Sequence, residues 1–359
     1  MKTFHCTNCQ NLVYFENVTC LSCLATLAYL PEEREMAAVA PGDDGLWHHE
    51  SRSYRPCANS VEHQVCNWAV PAEDTERLCR SCRLTHVIPN LSQPGNLEAW
   101  HRLELAKRRL LVTIFALGLP VARKSPSDRP GVEFDFLSDS AEPNGDSRRI
   151  LTGHDNGFIT INVAEADDVY RERQRTRQNE PYRTLLGHFR HEIGHYYWDR
   201  LVDGTPRQDE FRQVFGDERA DYQLALRRHY DSGPPPNWEN DFISAYASSH
   251  PWEDWAESWA HVLHMIDALE TAESIGVSLN PPAADEPALT LPVRAASDDA
   301  TQFDAMIRSW LSLTYALNSF TRGLGLPDSY PFVLSERVVE KLRFVYQTIR
   351  NYGATFKNA

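Results

Sequence analysis

The chain has 359 residues, of which 42% are hydrophobic and 24% charged, and this length accommodates two or three globular domains. Its formal net charge of −14 argues against a nucleic-acid partner, because phosphate binding requires clustered Lys and Arg. No stretch reaches the ~18 apolar residues that a membrane-spanning helix needs, which excludes a membrane segment.

All eight cysteines lie before residue 83. Two CxxC pairs are separated by ten residues, a spacing that suits two knuckles closing one tetrahedral zinc site: Cys6, Cys9, Cys20 and Cys23. The other four end in a third CxxC and predict a second structural zinc site: Cys57, Cys66, Cys79 and Cys82. Iron in a rubredoxin-like site has similar ligands, so the choice between zinc and iron stays open.

Disulfides are the alternative for eight cysteines, and they require an oxidising compartment. The start of the chain, Met1 to Cys6, lacks the apolar core and the cleavage site of a secretory signal. We therefore expect a cytoplasmic protein whose reduced thiols bind metal.

The segment 1–90 is predicted to be a zinc-ribbon module. It lacks a dense basic patch interleaved with aromatic residues, so we expect it to bind protein, either recruiting a substrate or partner or covering a cleft. The other interpretation is that its metal ions only stabilise a small domain that would be marginally stable without them.

A linker rich in Pro and Gly at 89–95 precedes an amphipathic helix predicted over about 97–117. Alternating β-branched and aromatic residues then predict strands at 132–137, 149–152 and 158–163. From residue 182 the pattern is mostly helical, ending in helices at about 304–317 and 334–352 that we expect to support the preceding core. The chain is therefore predicted to have an α+β fold with a small β-sheet.

The most informative motif is His191-Glu192-Ile-Gly-His195, in a segment predicted to be a helix that begins with Pro181. On a helix the two His side chains project from one face and can share a metal, while Glu192 stands beside the open coordination position. A chance match on an ordinary amphipathic helix is the alternative for the pentapeptide alone.

A third zinc ligand is predicted on a downstream helix that begins at Pro251. Glu253 and Glu257 lie on one face of this helix. Charged side chains rarely face a partner helix unless they are paired or have a function there. We expect Glu253 to be the third ligand and Glu257 to accept a hydrogen bond from the other ring nitrogen of a zinc-bound His. The alternative is a solvated acidic helix face.

At these residues the chain resembles a known family. Tyr246 followed by Glu253-Asp-Trp-Ala-Glu257 resembles the Tyr and Glu-Phe-Phe-Ala-Glu block of anthrax lethal factor and the Pro-Pro endopeptidases. The chain as a whole, with its Cys-rich start, resembles the bacterial zinc-ribbon-containing metallopeptidases nearly end to end. The resemblance implies a gluzincin-type, zincin-like domain with ligands His191, His195 and Glu253, base Glu192, and Tyr246 as the hydrogen-bond donor to the oxyanion.

Glu218 competes for the role of third ligand. It lies in Phe215-Gly-Asp-Glu218-Arg-Ala-Asp221, at a distance from the HExxH nearer to that of thermolysin-like enzymes. No Tyr accompanies that segment at the matching offset, whereas Tyr246 and Glu253 match two roles at once. We therefore favour Glu253 and expect the acidic residues at 217–221 to complement a helix N-terminus or to hydrogen-bond a ligand.

These features predict a peptidase core at 96–275 and a helical extension at 276–359 after the ribbon module. The predicted function is a zinc-dependent endopeptidase with one catalytic and two structural zinc ions, acting on a peptide or protein substrate with Glu192 as general base. The alternative is a noncatalytic binding protein with an inactive or locked core. The intact Glu192 favours the enzyme.

Overall fold

The computed structural model describes residues 2–124, 131–141, 147–177, 180, 182–283, 285–288 and 300–357. The chain forms two compact units. The N-terminal unit comprises Thr3–Ala116 and Pro120–Tyr170, and the C-terminal unit comprises Met1–Lys2, Leu117–Leu119 and Arg171–Ala359. Compact units are not identical with independently folding domains, so the predicted domains 1–90, 96–275 and 276–359 stay a prediction.

The N-terminal unit begins with short antiparallel strands. Its strands up to residue 87 are β1 Phe4–His5, β2 Leu12–Val13, β3 Thr26–Leu30, β4 Glu35–Pro41, β5 Trp47–His49, β6 Arg52–Pro56, β7 Ala69–Pro71 and β8 Thr85–Val87, with the short helix α1 Ala58–His63 between β6 and β7. Strands β1 and β2 form a hairpin, and β3 to β7 form an antiparallel sheet in sequence order. One face of that sheet packs a small core that includes Leu30, Val39 and Tyr54.

The rest of this unit is a long helix and a mixed sheet. Its elements are α2 Asn96–Ala116, β9 Glu133–Leu137, β10 Ser140–Ala141, β11 Ser147–Arg148, β12 Gly153–Asp155 and β13 Phe158–Asn162. The sheet has the order β12-β13-β9-β8, in which β9 pairs parallel with both β8 and β13. Helix α2 joins the Cys-rich segment through Arg108, which donates a 2.6 Å hydrogen bond to the carbonyl oxygen of Val65.

The strand predictions are right at two places and wrong at one. Strands β9 and β13 match the predictions at 132–137 and 158–163, and α2 matches the helix at 97–117. The strand predicted at 149–152 lies instead at Gly153–Asp155. The turn residues Asn156 and Gly157 both have positive φ, +48° and +82°, so the hairpin closes directly after Asp155 and the residues next to the turn pair with β13.

The C-terminal unit is helical over its described residues, and α3 crosses the boundary between the units. The helices are α3 Asp168–Arg177, α4 Leu185–Leu201, α5 Arg207–Phe215, α6 Tyr222–Ser232, α7 Pro251–Ser274, α8 Ala300–Gly323 and α9 Glu336–Lys357. A short 3₁₀ turn, Tyr246–Ser249, precedes α7. Helix α8 contains the helix predicted at 304–317, and α9 matches the one predicted at 334–352 but begins two residues later and extends to Lys357.

Two helix starts follow from their capping residues. Helix α4 begins at Leu185, because the side chain of Thr184 accepts a hydrogen bond from the Gly187 amide, and not at Pro181, which lies outside the described residues. Helix α7 begins at Pro251, as predicted, with the His250 side chain capping the Trp252 amide. No helix within the described ranges is both long and apolar enough to cross a membrane.

The observed architecture is thus α+β, with a Cys-rich β region followed by a mostly helical region. This confirms the predicted fold class.

Candidate metal centres

Helices α4 and α7 cross at close range because α4 has a glycine at the crossing point. A Cβ atom built on Gly194 would lie 3.1 Å from the Cα of Ala256 and 3.2 Å from the Cβ of Trp259, tighter than ordinary van der Waals contact. The indole N–H of Trp255 donates a 2.8 Å hydrogen bond to the Gly194 carbonyl, and Tyr197 stacks on Trp259 with 4.8 Å between ring centroids. The crossing fixes the HExxH turn against the first two turns of α7.

At this crossing the structure brings together His191, His195 and Glu253. The Nε2 atoms of the two His lie 3.3 Å apart, and Glu253 Oε2 lies 2.9 Å from His191 Nε2 and 3.5 Å from His195 Nε2. In a tetrahedral site with metal–ligand bonds of about 2.0–2.2 Å, neighbouring ligand atoms are about 3.3–3.6 Å apart. Two of the three distances have the spacing of a zinc tetrahedron, and the third, between His191 and Glu253, is shorter. The donor set of two imidazoles and one carboxylate fits zinc.

The predicted partner of a zinc-bound His is also in position. Glu257 Oε1 lies 2.7 Å from His191 Nδ1, so the ring N–H at Nδ1 donates to the carboxylate and Nε2 keeps its lone pair toward Glu253 and His195. The second oxygen of Glu257 accepts a 2.7 Å hydrogen bond from the hydroxyl of Ser244. Both oxygens of Glu257 are thus engaged, which fixes the tautomer and the ring plane of His191.

Glu192 and Tyr246 lie beside this group. Burial raises the pKa of the Glu192 carboxyl above its ordinary value. The ring of Tyr246 lies 5.9 Å from that of His191. Burial, followed by the charge of Glu253, raises the pKa of the Tyr246 phenol well above its ordinary value, so Tyr246 stays a hydrogen-bond donor at neutral pH.

Tyr222, the first residue of α6, is a contact that the sequence analysis did not find. Its hydroxyl donates a 2.5 Å hydrogen bond to Glu253 Oε1, the carboxylate oxygen that points away from the two imidazoles. Burial would raise the pKa of Glu253, but the charges and hydrogen bonds of His195 and His191 hold it well below its ordinary value. The only sequence signal was a Tyr directly after the Asp221 that caps α6.

Glu218 lies elsewhere. Its carboxylate accepts hydrogen bonds from the guanidinium of Arg212, with 2.5 Å to Nη2, and from the side chain of Gln208 at 3.1 Å. The hydrogen bond from Arg212 lowers the pKa of Glu218. Asp221 caps α6 by accepting from the Leu224 amide, as expected for an acidic residue at a helix N-terminus. Among the described residues, the group around the two His therefore includes Glu253 and not Glu218.

The eight cysteines form the two predicted groups of four, and none of them forms a disulfide bond. In the first group the Sγ atoms of Cys6 and Cys23 are 3.7 Å apart and those of Cys9 and Cys20 3.6 Å, and in the second group the Cys66–Cys79 distance is 3.7 Å. A disulfide would require about 2.05 Å, whereas thiolates of a tetrahedral zinc site with bonds of about 2.3 Å are about 3.8 Å apart. Both groups fit zinc.

The two four-cysteine groups differ in their surroundings. The second group is buried throughout, with the buried guanidinium of Arg108 nearby and a carboxylate oxygen of Glu104 3.9 Å from Cys82 Sγ. Burial lowers the pKa of Arg108, but the charges of Cys66 and Glu104 outweigh it and raise that pKa above its ordinary value. Exposed apolar side chains accompany the first group: Leu12, Tyr14, Val18, Leu21 and Leu24.

Comparisons with known proteins agree with these geometries. Residues 96–348 match the model of a family described as "Putative zinc-binding metallo-peptidase", and residues 3–93 match a zinc-ribbon domain. Uncharacterized protein Rv2568c of Mycobacterium tuberculosis and Uncharacterized protein Mb2598c of Mycobacterium bovis are each 41% identical to the chain over 360 residues, covering 100% of the chain and 98% of the relative. No solved structure gives a match. The resemblance of the chain to the zinc-ribbon-containing metallopeptidases is thereby confirmed.

Proposed function

The chain belongs to this zinc-binding metallo-peptidase family, and on that premise we propose that it is a zinc-dependent endopeptidase of the gluzincin type. The observation that carries the proposal is the convergence of His191 Nε2, His195 Nε2 and Glu253 Oε2, all within 3.5 Å of one another, beside the buried side chain of Glu192. A solvated acidic helix face would not bury Glu253 completely.

Each residue around the centre has a separate role in the proposed reaction. Zinc, when bound, supplies a Lewis acid that activates a water molecule and polarises the scissile carbonyl. The carboxylate of Glu192 accepts the proton of the attacking water and delivers it to the leaving nitrogen. The hydroxyl of Tyr246 donates to the carbonyl oxygen as negative charge develops there. Glu257 keeps His191 in the tautomer that leaves Nε2 available to the metal.

The raised pKa of Glu192 is consistent with a general base. A carboxylate is the stronger proton acceptor the closer its pKa lies to the pH at which it works, and burial moves Glu192 in that direction. The charges of His191 and His195 oppose this rise of the pKa.

For the N-terminal unit we propose two structural zinc ions, one in each four-cysteine group, and a protein-binding role that recruits a substrate or a partner. The support is an apolar surface of the first ribbon, where Leu21 and Leu24 are 86% and 76% exposed next to the ligand pair Cys20 and Cys23. Exposed apolar side chains gathered on one small module are typical of a protein-interaction surface.

Glu192→Gln tests the assignment of activity. We expect the full-length variant to keep the zinc content of the wild type, because Glu192 is not one of the converging ligand atoms. Cleavage of a denatured-proteome peptide library should fall by roughly 10²–10⁴-fold, the usual worth of a general base. Glu210→Gln, which neutralises a half-exposed carboxylate on α5, is the matched control and should cleave as the wild type does. Equal cleavage by Glu192→Gln and wild type would refute the hydrolase assignment.

A further inference from the structure

The two carboxylate oxygens of Glu253 have different partners. Oε2 faces His191 and His195, whereas Oε1 accepts the 2.5 Å hydrogen bond from the hydroxyl of Tyr222. A carboxylate can bind a metal through one oxygen or through both, and a strong donor on one oxygen favours binding through the other. The orientation of Glu253 therefore depends on a residue from a different helix.

We propose that Tyr222 is a positioning residue of the metal centre, whose hydroxyl holds one oxygen of Glu253 so that the other is presented with the two imidazoles. This inference rests on the proposed function, because it assumes that His191, His195 and Glu253 bind zinc. Tyr222 differs in role from Tyr246: it acts on a ligand, whereas Tyr246 is proposed to act on the substrate.

The ring of Tyr222 is fixed by its neighbours. It packs edge-on against His250, with 5.2 Å between ring centroids and 85° between planes, and lies 6.0 Å from Trp252. His250 in turn uses both ring nitrogens: Nδ1 accepts from the Trp252 amide at 3.1 Å, and Nε2–H donates to the Ala220 carbonyl at 3.1 Å. The start of α6 is thereby tied to the start of α7, two residues from Glu253.

Helix α6 lies at the surface of its unit. None of its side chains, all within the described residues, is fully buried. The segment that carries it is bounded by Gly216 and Gly233, with φ of +104° and +76°, a region of backbone conformation that L side chains rarely adopt. The hydrogen bond to Glu253 is one of the contacts that hold α6 at the centre, together with the ring contact between His229 and Tyr246. Because coupling between two sites is reciprocal, zinc binding at Glu253 should in turn order α6.

Tyr222→Phe tests this role, since it deletes one hydroxyl and keeps the ring packing. With both four-cysteine groups left loaded, competition with a fluorescent chelator measures the affinity for the third zinc equivalent. We expect a loss of about tenfold or more, the usual effect of removing a hydrogen bond to a metal ligand. Tyr230→Phe, on the same helix but 63% exposed, is the matched control and should bind zinc as the wild type does.

Two further readouts separate positioning from a general structural role. Cobalt(II) bound as the third equivalent should show a changed visible spectrum in Tyr222→Phe but not in Tyr230→Phe, because the coordination of Glu253 changes. In a Glu253→Gln background, adding Tyr222→Phe should cost little further affinity, because the hydroxyl acts through the carboxylate that has been removed. Hydrogen exchange should show zinc-dependent protection of α6 in the wild type and less of it in Tyr222→Phe.

The failure of this inference can be told from the failure of the proposed function. If a third zinc binds and Glu192→Gln abolishes cleavage, but Tyr222→Phe leaves the zinc affinity and the cobalt spectrum unchanged, the positioning role is refuted and the peptidase stands. If no zinc binds at His191, His195 and Glu253, both fall.

Discussion

Replacing Lys341 by Met should destabilise the C-terminal unit by about 3–5 kcal/mol, because it leaves Asp254 buried without its counter-ion. Asp254 is the neighbour of Glu253 on α7, and its carboxylate lies 2.7 Å from Lys341 Nζ on α9, with side-chain exposures of 0% and 4%. The same ammonium donates a 2.6 Å hydrogen bond to the carbonyl of Asp241 and lies 4.1 Å from the centre of the Phe242 ring. One buried charge thus joins α9, α7 and the segment that leads to Tyr246.

The destabilisation caused by Lys341→Met should depend on pH. Burial raises the pKa of Asp254 to about 7 even though Lys341 lowers it, so Lys341→Met should raise that pKa further. A folded-state pKa above the ordinary value of about 3.9 means that stability is lost as the pH rises toward the folded pKa. In the wild type this decrease in the free energy of unfolding is complete near pH 7. In the variant, whose Asp254 pKa is higher, the free energy of unfolding goes on falling by about 1.4 kcal/mol per pH unit above pH 7. The destabilisation by Lys341→Met should therefore be larger at pH 8 than at pH 6, by at least about 1 kcal/mol.

Urea unfolding of the zinc-loaded chain at pH 6 and pH 8 measures both effects. Arg343→Met is the matched control, since Arg343 on the same helix pairs with Asp304 at the surface, where the side chains are 33% and 49% exposed. That pair should be worth less than about 1 kcal/mol. A loss below about 1 kcal/mol in Lys341→Met at pH 8, or the same loss at both pH values, would refute the argument from the buried charge.

Two other predictions concern the metal ligands and the ribbon surface. By elemental analysis, Glu253→Ala should retain two zinc ions per chain instead of three. Glu218→Ala, which only removes the partner of Arg212, should retain all three. The opposite pattern would make Glu218 the ligand. Leu21→Ser combined with Leu24→Ser should slow the cleavage of a folded protein substrate and leave the cleavage of a short peptide unchanged. The control Leu324→Ser, where the side chain is as exposed as that of Leu24 at 76%, should change neither rate. Equal slowing of both substrates by the double variant would contradict recruitment by the ribbon.

Local patterns were sufficient where a single element carries the chemistry. The HExxH turn and the Glu253–Glu257 pair each lie on one helix, so their spacing fixed which side chains share a face. The first four-cysteine group was predictable for the same reason, because both of its CxxC pairs close within a few residues, whereas the second combines one CxxC pair with Cys57 and Cys66. The start of α4 was misplaced because Pro181 and Thr184 both suit a helix N-terminus, and the hydrogen bond from Gly187 that distinguishes them depends on backbone geometry.

Contacts between distant elements could not be predicted in the same way. Tyr222 lies 31 residues before Glu253, and it reaches the carboxylate only because His250 ties the start of α6 to the start of α7. Nothing in the sequence near Tyr222 encodes that approach, since the pattern of α6 alone is that of an exposed helix. Lys341 is further still from Asp254, and its burial depends on how α9 packs.

The placement of Glu218 and Glu253 shows that spacing along the chain is a weak guide to which acidic residue lies beside the two His. Glu218 is closer to the HExxH in sequence, yet α5 supplies it with Arg212 and Gln208 as partners, which satisfy its charge away from the imidazoles. Glu253 is presented instead by the α4–α7 crossing, and the closeness of that crossing depends on Gly194 within the HExxH itself. A side chain at position 194 would push Ala256 and Trp259 outward and carry Glu253 with them. The glycine of this HExxH therefore permits the close approach of α7 that carries Glu253, although it contributes no atom to the centre.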